Sequence, residues 1–431
     1  MSLVVYSGGA RVGVLDMAAD EPFYGFAYDP SYLSSEHALP LSLSLPLWAN
    51  RFCGADALPF FEGLLPEGDV RASVARQLGI SERSPAKLLR ALGKDCAGDI
   101  AVLEEDDPYQ PPASDLYARL DGGLARIAAN PFGEISRLRA ENRLSLAGGQ
   151  EKIALYHDSR EPLETGWWIP LEGSPSTHIV KPQANEAYPR LVHNEYLCMR
   201  LARLARIDVA DVDIVSCGRP LLVVKRFDRE GTERRNADGL TVQRRLRQED
   251  FCQALGFDSS RKYEADGGPS IADVRVLLLG YSANALEDLL ALLRLALFNF
   301  LVGNCDAHAK NYSMMLGARE AVRLAPAYDL VSTTVYDGTF GSALSRRMGM
   351  RIGAHSNIDK VAAEDLGMLA DAMGVSSKLV DREFRELSAA MLEVFDVAVE
   401  DLASHVSDDV SELVERIRAG IEARSRVLGQ F

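Results

Sequence analysis

A group of polar residues suited to phosphate transfer follows a long apolar run that ends near residue 302. Asp306, Lys310 and Asn311 lie within six residues, and Asp329 follows about 20 residues later, beside Tyr328. In this pattern one carboxylate can accept the proton of an attacking hydroxyl, while an amide oxygen and a second carboxylate are hard ligands for magnesium on nucleotide phosphates. Each residue alone is also compatible with a loop cap or a surface polar group. The combination after a buried helix favours a nucleotide site.

A glycine-containing stretch, SLAGGQEKIALY at 145–156, is a second candidate site. The small residues Ala147, Gly148 and Gly149 allow backbone amides to approach an anion closely. The stretch lacks both the Gly-Lys-[Ser/Thr] ending of a Walker A loop and the G-x-G-x-x-G pattern of a dinucleotide fold. A glycine turn that leads into a strand explains it equally well.

Two further segments have residues that nucleotides use. Lys181 ends the apolar run THIVK and can reach phosphates as a point charge, with Glu195 as its ion-pair partner, although a surface lysine at a strand end is the simpler interpretation. The run VVKRFDR at 223–229 passes from an apolar strand into a polar connection, where backbone groups could hold an adenine edge. His308 is interpreted as loop architecture, because the seven histidines show no metal-ligand spacing.

The elements predicted around these residues divide the chain into three parts. The first hundred residues indicate a hairpin around Ser7-Gly8-Gly9 and helices at 69–79 and 85–93, followed by a linker at 105–115. Strands are predicted at 152–156, 178–181 and 221–225, with a helix at 194–207 before the last of them. That order is typical of a nucleotide-binding lobe on an antiparallel sheet. Later segments are mainly helical, at 249–255, 271–280, 285–303, 362–373, 379–399 and 409–428.

Composition and charge exclude several classes of function. The chain has 431 residues and a formal net charge of −15, which excludes a generally basic nucleic-acid binder and disfavours binding to anionic membranes. Residues 361–415 have a net charge of −11, whereas residues 219–247 have a net charge of +5, as a polyphosphate site would favour. The acidic segment is interpreted as a set of solvated helix faces or as a docking surface for a basic partner.

The cysteines and the apolar segments indicate a cytoplasmic protein without a membrane span. The six cysteines contain no C-x-x-C pair, and scattered thiols suit a reducing compartment. The N-terminal sequence lacks the basic region and apolar run of a signal peptide. Charged residues interrupt the most apolar segment, 286–303, which therefore predicts a buried helix.

The ordered motifs of the chain resemble those of the HipA serine/threonine kinases, the toxin half of bacterial type II toxin–antitoxin pairs. The matching blocks are PLSLSLPL, FFEGLLPEGDVR, SLAGGQEKIAL, THIVKP, NEY, KRFDR, RQEDFCQALG, KYEADGGP, GNCDAHAKNYS and LAPAYDLVS. The resemblance implies an α+β, protein-kinase-like bilobal fold with a β-rich N-lobe, a mainly helical C-lobe and an extra N-terminal subdomain. We expect boundaries at 1–105, 106–247 and 248–431.

The resemblance also implies a role for each matching position. Asp306 corresponds to the catalytic base, Asn311 and Asp329 to the Mg²⁺ ligands, and Ser145 to the site of inactivating autophosphorylation. The implied ATP contacts are the phosphate loop Ala147, Gly148, Gly149, Gln150, Glu151 and Lys152, the lysine Lys181, the hinge Lys225, Arg226 and Phe227, and His308, Lys310, Asn311, Tyr328 and Asp329. Two departures are a short segment between Lys181 and Glu195, which leaves substrate choice open, and Lys225, whose side chain offers the hinge no acidic contact.

The expected function is that of a protein kinase toxin with ATP and Mg²⁺. The family implies a helix-turn-helix antitoxin (HipB-like) as partner and an aminoacyl-tRNA synthetase, such as glutamate–tRNA ligase, as substrate, with growth arrest and persistence as the result. One alternative is a small-molecule or lipid phosphotransferase, against which the long N-terminal region and Ser145 argue. Another is a co-repressor that acts mainly with the antitoxin, which also contacts the DNA.

Overall fold

A computed structural model describes residues 2–16, 25–107, 109, 116–142, 150–316, 321–405 and 409–429. The linker predicted at 105–115 and the glycine-containing loop lie largely outside these ranges. Within the described ranges, no helix is long and apolar enough to cross a membrane. The three boundaries proposed from the sequence remain predictions.

The N-terminal part is a five-stranded antiparallel sheet with helices packed on it. The strands have the order β4-β3-β2-β1-β5 and are β1 (Ser2–Ser7), β2 (Ala10–Asp16), β3 (Gly25–Tyr28), β4 (Arg51–Cys53) and β5 (Ile100–Glu104). The helices are α1 (Pro30–Leu33), α2 (Gly54–Gly63), α3 (Gly68–Leu78) and α4 (Pro85–Leu92). The predicted hairpin and both predicted helices are confirmed. The motif block PLSLSLPL at 40–47 contains the isolated bridge Ser42–Leu45. A separate apolar core lies between this sheet and its helices.

A six-stranded antiparallel sheet forms the middle part, with the order β10-β11-β9-β7-β8-β6. Its strands are β6 (Leu116–Arg119), β7 (Ile153–His157), β8 (Trp167–Leu171), β9 (His178–Pro182), β10 (Val212–Ser216) and β11 (Pro220–Lys225). Associated elements are α5 (Ala125–Ala129), α6 (Pro131–Asn142), α7 (Leu191–Leu204) and the ribbon β12 (Arg229–Arg235) and β13 (Thr241–Arg245). The three predicted strands and the helix between the last two are confirmed. The sequence analysis missed β6, β8 and β10.

The C-terminal part is mainly helical, as predicted. Its helices are α8 (Phe251–Leu255), α9 (Ile271–Tyr281), α10 (Ala285–Val302), α11 (Ala363–Met373), α12 (Ser377–His405) and α13 (Ser411–Ser425). Short strands accompany them: β14 (Arg247–Asp250), β15 (Ser313–Leu316), β16 (Val322–Leu324), β17 (Arg347–Ile352) and β18 (His355–Asn357). The α+β, protein-kinase-like bilobal class expected from the sequence is the observed one.

Helix α10 is buried and leads directly into the polar cluster. Most of its side chains are buried in the largest apolar core of the described residues, so the helix is held on several sides. It ends at Gly303, which has a φ of +79°. A Cβ at this position would lie 2.0 Å from Thr334 Oγ1, so only glycine fits. The chain therefore turns sharply here and enters the loop that contains Asp306.

Candidate active site

A cleft of about 980 Å³ opens between the six-stranded sheet and the helical part. Its lining includes the predicted residues Gln150, Glu151, Lys152, Lys181, Lys225, Arg226, Phe227, Asp306, His308, Lys310, Asn311, Tyr328 and Asp329. These residues lie up to 179 positions apart in the chain, from 150 to 329. Of the predicted set, Ser145, Ala147, Gly148 and Gly149 lie outside the described residues. Their roles remain predictions.

Lys181 forms the centre of a buried charge cluster at the inner end of the cleft. The lysine lies at the end of β9 and its Nζ is 2.7 Å from Glu195 Oε1 on α7. It also donates a hydrogen bond to Asp329 Oδ1. Burial opposes its charge, but Asp329 and Glu195 raise its pKa, so it remains an ammonium. The surface-lysine interpretation is therefore wrong, because the side chain is 5% exposed.

The two carboxylates around Lys181 differ in their protonation behaviour. Burial raises the pKa of Glu195 to about 7, although Lys181 opposes this shift. Burial alone would also raise the pKa of Asp329, but Lys181 and Lys152 hold it below its ordinary value. Asp329 adopts a φ of +56°, a left-handed conformation that costs energy in a non-glycine residue and is concentrated at functional sites. Of these two carboxylates, Asp329 is thus the firmly ionised one.

Lys152 supplies a second cation to the same end of the cleft. Its side chain is buried, and no carboxylate among the described residues forms an ion pair with it. Burial lowers its pKa to about 8, and Asp329 opposes part of that shift. The backbone before it is held in place by Arg139 of α6, whose Nη1 lies 3.1 Å from Glu151 Oε2 and whose other terminal nitrogen donates to the Lys152 carbonyl. An incompletely paired buried lysine favours binding of an anion.

Asp306 lies at the mouth of the cleft, with its side chain 51% exposed. Its Oδ1 accepts a hydrogen bond of 2.5 Å from the Tyr263 hydroxyl. Asn311 Nδ2 donates to the Asp306 carbonyl at 2.9 Å, which leaves the amide oxygen to act as a ligand. The loop therefore exposes the Asp306 carboxylate at the mouth of the cleft, and the Asp306 carbonyl orients the Asn311 side chain.

His308 and Lys310 line the cleft but are bound largely by protein groups. Burial lowers the pKa of His308 to about 4, so the imidazole is neutral. Lys310 Nζ lies 2.8 Å from Asp250 Oδ2 and 3.4 Å from Glu67 Oε1. The ammonium of Lys310 thus points toward the carboxylates of Asp250 and Glu67. Its proposed role in ATP binding remains a prediction.

The hinge segment has two different faces. The Lys225 amide donates to the Asp211 carbonyl at 2.8 Å, and its side chain is exposed. The guanidinium of Arg226 is directed to a protein carboxylate: its Nε and Nη2 donate hydrogen bonds to Asp228 at 2.9 Å and 2.7 Å. The ring of Phe227 lies 5.7 Å from the ring of Tyr328 and forms an apolar side of the cleft with it. Tyr328 is itself held through its hydroxyl, which donates to the Lys310 carbonyl at 2.8 Å.

The donor set fits magnesium bound together with phosphate oxygens. Among the described residues, no three His, Cys, Asp or Glu side chains come together as a metal site. Asn311 and Asp329 offer hard oxygen donors, and Mg²⁺ commonly takes one or two protein oxygens and completes its shell with phosphate and water. The cations Lys152 and Lys181 beside them match the remaining phosphate charge.

The sequence analysis assigned no role to two residues that contact this site. Glu67, from the N-terminal part, lies 2.8 Å from Lys262 Nζ and 3.4 Å from Lys310 Nζ. Tyr263 contacts Asp306 across 43 positions of sequence. Glu67 lies in the motif block FFEGLLPEGDVR and Tyr263 lies in the block KYEADGGP. Membership of these blocks was the signal in the sequence that could have indicated a role for either residue.

An antiparallel sheet over a helical lobe, with a Lys–Glu ion pair and an Asp–Asn–Asp set in the cleft between them, defines a protein-kinase-like enzyme. Two family models match the chain: the HipA N-terminal domain at residues 3–103 and the HipA-like C-terminal domain at residues 144–395. The chain therefore belongs to the HipA family, and its enzymatic class is serine/threonine-protein kinase.

Similar proteins cover almost the whole chain. A putative kinase of Sinorhizobium fredii, Y4mE, is 38% identical over 92% of this chain and 94% of its own length. The serine/threonine-protein kinase toxin HipA of Shewanella oneidensis is 32% identical over 96% of this chain and 95% of its own. A solved complex of HipA, HipB and operator DNA from Shewanella oneidensis MR-1 aligns with a TM-score of 0.80 and 28% identity, covering 98% of this chain and 96% of that one.

Proposed function

We propose that this protein transfers the γ-phosphate of ATP to a seryl or threonyl hydroxyl of a protein substrate, as the toxin of a toxin–antitoxin module. The observation that supports this most directly is the convergence of Lys181, Glu195 and Asp329 in the cleft that also contains Asp306 and Asn311. Phosphoryl transfer needs positioning and charge stabilisation more than covalent chemistry, and this set of side chains supplies both.

Each side chain has a distinct part in the proposed reaction. Lys152 and Lys181 hold the phosphates, and Glu195 keeps Lys181 in place from behind. Asn311 and Asp329 hold Mg²⁺, which when bound neutralises charge on the phosphates. Asp306 accepts the proton of the attacking hydroxyl, since it is the carboxylate that faces the open mouth of the cleft.

The adenine is proposed to lie against Phe227 and Tyr328. The apolar side chains of Ile179 and Val224 line the same region, so a flat base can be enclosed without buried unpaired polar groups. The Lys225 amide is already bound to Asp211, so the Phe227 backbone is the better candidate for the hinge hydrogen bond. Autophosphorylation at Ser145 is part of the proposal; a phosphate on this residue would add negative charge to the segment that precedes Lys152.

A small helix-turn-helix antitoxin is the proposed partner. The similar solved structure contains HipA with HipB and operator DNA. Acidic residues Glu386, Glu393 and Glu400 repeat every seven positions on the exposed face of α12, which supports docking of a basic surface there. The proposal also includes an aminoacyl-tRNA synthetase as the substrate, growth arrest as the result and the cytoplasm as the location. The six free cysteines are compatible with that location.

The substitution Asp306→Asn tests the proposed reaction. It is expected to lower phosphate transfer by roughly 10²–10⁴-fold, because the base is lost, while ATP binding persists. The measurement is transfer from labelled ATP into lysate proteins, with phosphosites mapped by mass spectrometry and growth followed after expression. Asp371→Asn, an exposed change on α11, is the matched control. Growth arrest that persists in Asp306→Asn, or phosphate found only on small molecules, would contradict the proposal.

A further inference from the structure

The hydrogen bond between Tyr263 and Asp306 has no counterpart in the roles assigned so far. The Tyr263 hydroxyl donates to Asp306 Oδ1 at 2.5 Å. The Asp306 side chain is half exposed. The Nε2 atom of His308 lies 4.0 Å from the same Oδ1. Without Tyr263, the carboxylate would have few contacts to select one rotamer, and a freely rotating base is poorly placed to accept a proton.

The segment that contains Tyr263 is anchored on both sides. Three ion pairs hold it: Lys262–Glu67 at 2.8 Å, Glu264–Arg351 at 2.6 Å and Asp266–Arg347 at 2.6 Å. The Gly268 amide also donates to the Tyr263 carbonyl at 3.0 Å. A Cβ on Gly268 would lie 1.9 Å from the Arg261 carbonyl oxygen, so the turn closes tightly behind Tyr263. The backbone that presents the hydroxyl therefore has little freedom to move.

The ring of Tyr263 is also fixed by packing. It meets the ring of His308 edge-on, with centroids 5.0 Å apart and an interplanar angle of 89°. Burial and the charge of Asp306 raise the pKa of Tyr263, so the phenol stays protonated and continues to donate. Both the donor and its direction are thus set by the protein before any substrate arrives.

We propose that Tyr263 is a positioning residue that fixes Oδ1 of Asp306 and so leaves Oδ2 to accept the hydrogen bond of the acceptor hydroxyl. This inference rests on the proposed function, in which Asp306 is the base. A carboxylate accepts several hydrogen bonds at once, so the tyrosine and the acceptor can bind together. The anchored backbone argues against the other geometry, in which Tyr263 occupies the acceptor position and has to leave before reaction.

The test uses the full chain with three substitutions: Tyr263→Phe, Asp306→Asn and the control Tyr156→Phe. Tyr263→Phe keeps the ring on His308 and removes only the hydroxyl. Tyr156→Phe removes a hydroxyl that donates to the Thr241 carbonyl of β13 at 3.0 Å, and neither residue lines the cleft. The measured quantities are the maximal rate of label transfer from ATP into lysate proteins, the KM for ATP and the temperature of unfolding.

For Tyr263→Phe, we expect a roughly tenfold lower maximal rate with an unchanged KM for ATP, since one hydrogen bond to a charged group is lost. The control should keep the wild-type rate. A rate equal to that of the control, a higher rate, or a changed KM at an unchanged rate would overturn the inference. If Asp306→Asn abolishes transfer in that case, the proposed function stands; if Asp306→Asn remains active, both fail.

A second variant covers the case in which Tyr263→Phe is less stable than the control. Asp266→Asn weakens one exposed anchor of the segment and keeps the hydroxyl. We expect a roughly threefold lower maximal rate, because an exposed ion pair contributes little but still restricts the segment. The KM for ATP should not change. A wild-type maximal rate in this variant would count against positioning by Tyr263.

Discussion

Two charge clusters lie next to the hinge, and they are built from different cations. In the first, the lysines Lys152 and Lys181 face Glu195 and Asp329. In the second, the arginines Arg226, Arg229 and Arg245 face Asp95 and Asp228, and all five residues have side chains that are 9% exposed or less. Lysine is a point charge on a flexible stem, whereas arginine binds carboxylates with a planar fork of fixed geometry.

The arginine cluster joins the N-terminal part to the hinge. Arg226 binds Asp228 through two nitrogens, and the Gly98 amide donates to Asp228 Oδ2 at 2.8 Å. Arg229 donates to the Gly98 carbonyl at 2.7 Å and lies 3.2 Å from Asp95. These bonds fix the backbone on both sides of Phe227. The comparison indicates that the arginine cluster holds the hinge to the N-terminal part, while the lysine cluster is the one that binds phosphate in the proposed function.

Removing a carboxylate from the cleft cluster should give the largest effect on activity. Asp329→Asn is expected to lower phosphate transfer on the order of 10³-fold, because it weakens the proposed Mg²⁺ site, whose cation neutralises charge on the phosphates. Folding should change little, since Lys181 keeps Glu195. Transfer assays and thermal unfolding measure the two properties. A large loss of stability in Asp329→Asn would contradict the view that the cleft cluster serves activity and the arginine cluster serves folding.

Removing a carboxylate from the arginine cluster should mainly affect folding. Asp228→Ala is expected to lower the free energy of unfolding by roughly 3–5 kcal/mol, because it removes the carboxylate that the buried Arg226 and Arg229 share and leaves Asp95 as their remaining anion. Denaturant unfolding measures this change. The control is Glu230→Ala, whose pair with Arg244 is half exposed and should contribute less than about 1 kcal/mol. Equal effects of the two substitutions would show that the buried cluster has no special structural role.

The smallest expected effect is the pH dependence of ATP binding through Lys152. Burial lowers the pKa of this lysine to about 8 in the free protein, so it is charged below pH 8 and neutral above it. Binding of a polyphosphate favours the charged form, so the Kd for ATP should rise above pH 8, by at most about tenfold per pH unit. Calorimetry between pH 7 and pH 9 measures this. Lys152→Met should weaken ATP binding and abolish the increase of the Kd above pH 8. If the increase persists in this variant, another group causes the pH dependence.

The positive net charge of residues 219–247 shows why composition did not locate the phosphate site. Four of its nine cations, Arg226, Arg229, Arg245 and Arg247, lie in buried ion pairs with Asp95, Asp228 or Asp99. Much of the charge of this segment thus binds the N-terminal part, whereas Lys152 and Lys181, the cations of the cleft cluster, lie outside it. A net charge counts residues without regard to the direction of their side chains.

Local patterns in the sequence predicted many of the elements and much of the site. The periodicity of apolar residues predicted α3, α7, α10 and the strands β7, β9 and β11, since side chains of one element share a face at a fixed spacing. The motif after α10 singled out Asp306, Asn311 and Asp329, which do line one cleft. The strand β10 is as long as β7 and β9 but was missed, because Asp213 and Ser216 interrupt its apolar residues.

What the sequence alone determined was the family, the order of the elements and the polar residues available for chemistry. Only the tertiary structure decided which of them face the cleft. It turned Arg226 to Asp228, surrounded Lys310 with Asp250 and Glu67, and brought Tyr263 to Asp306. The physical reason is that propensity and periodicity act over a few residues, whereas each of these long-range contacts depends on how separately folded elements pack together.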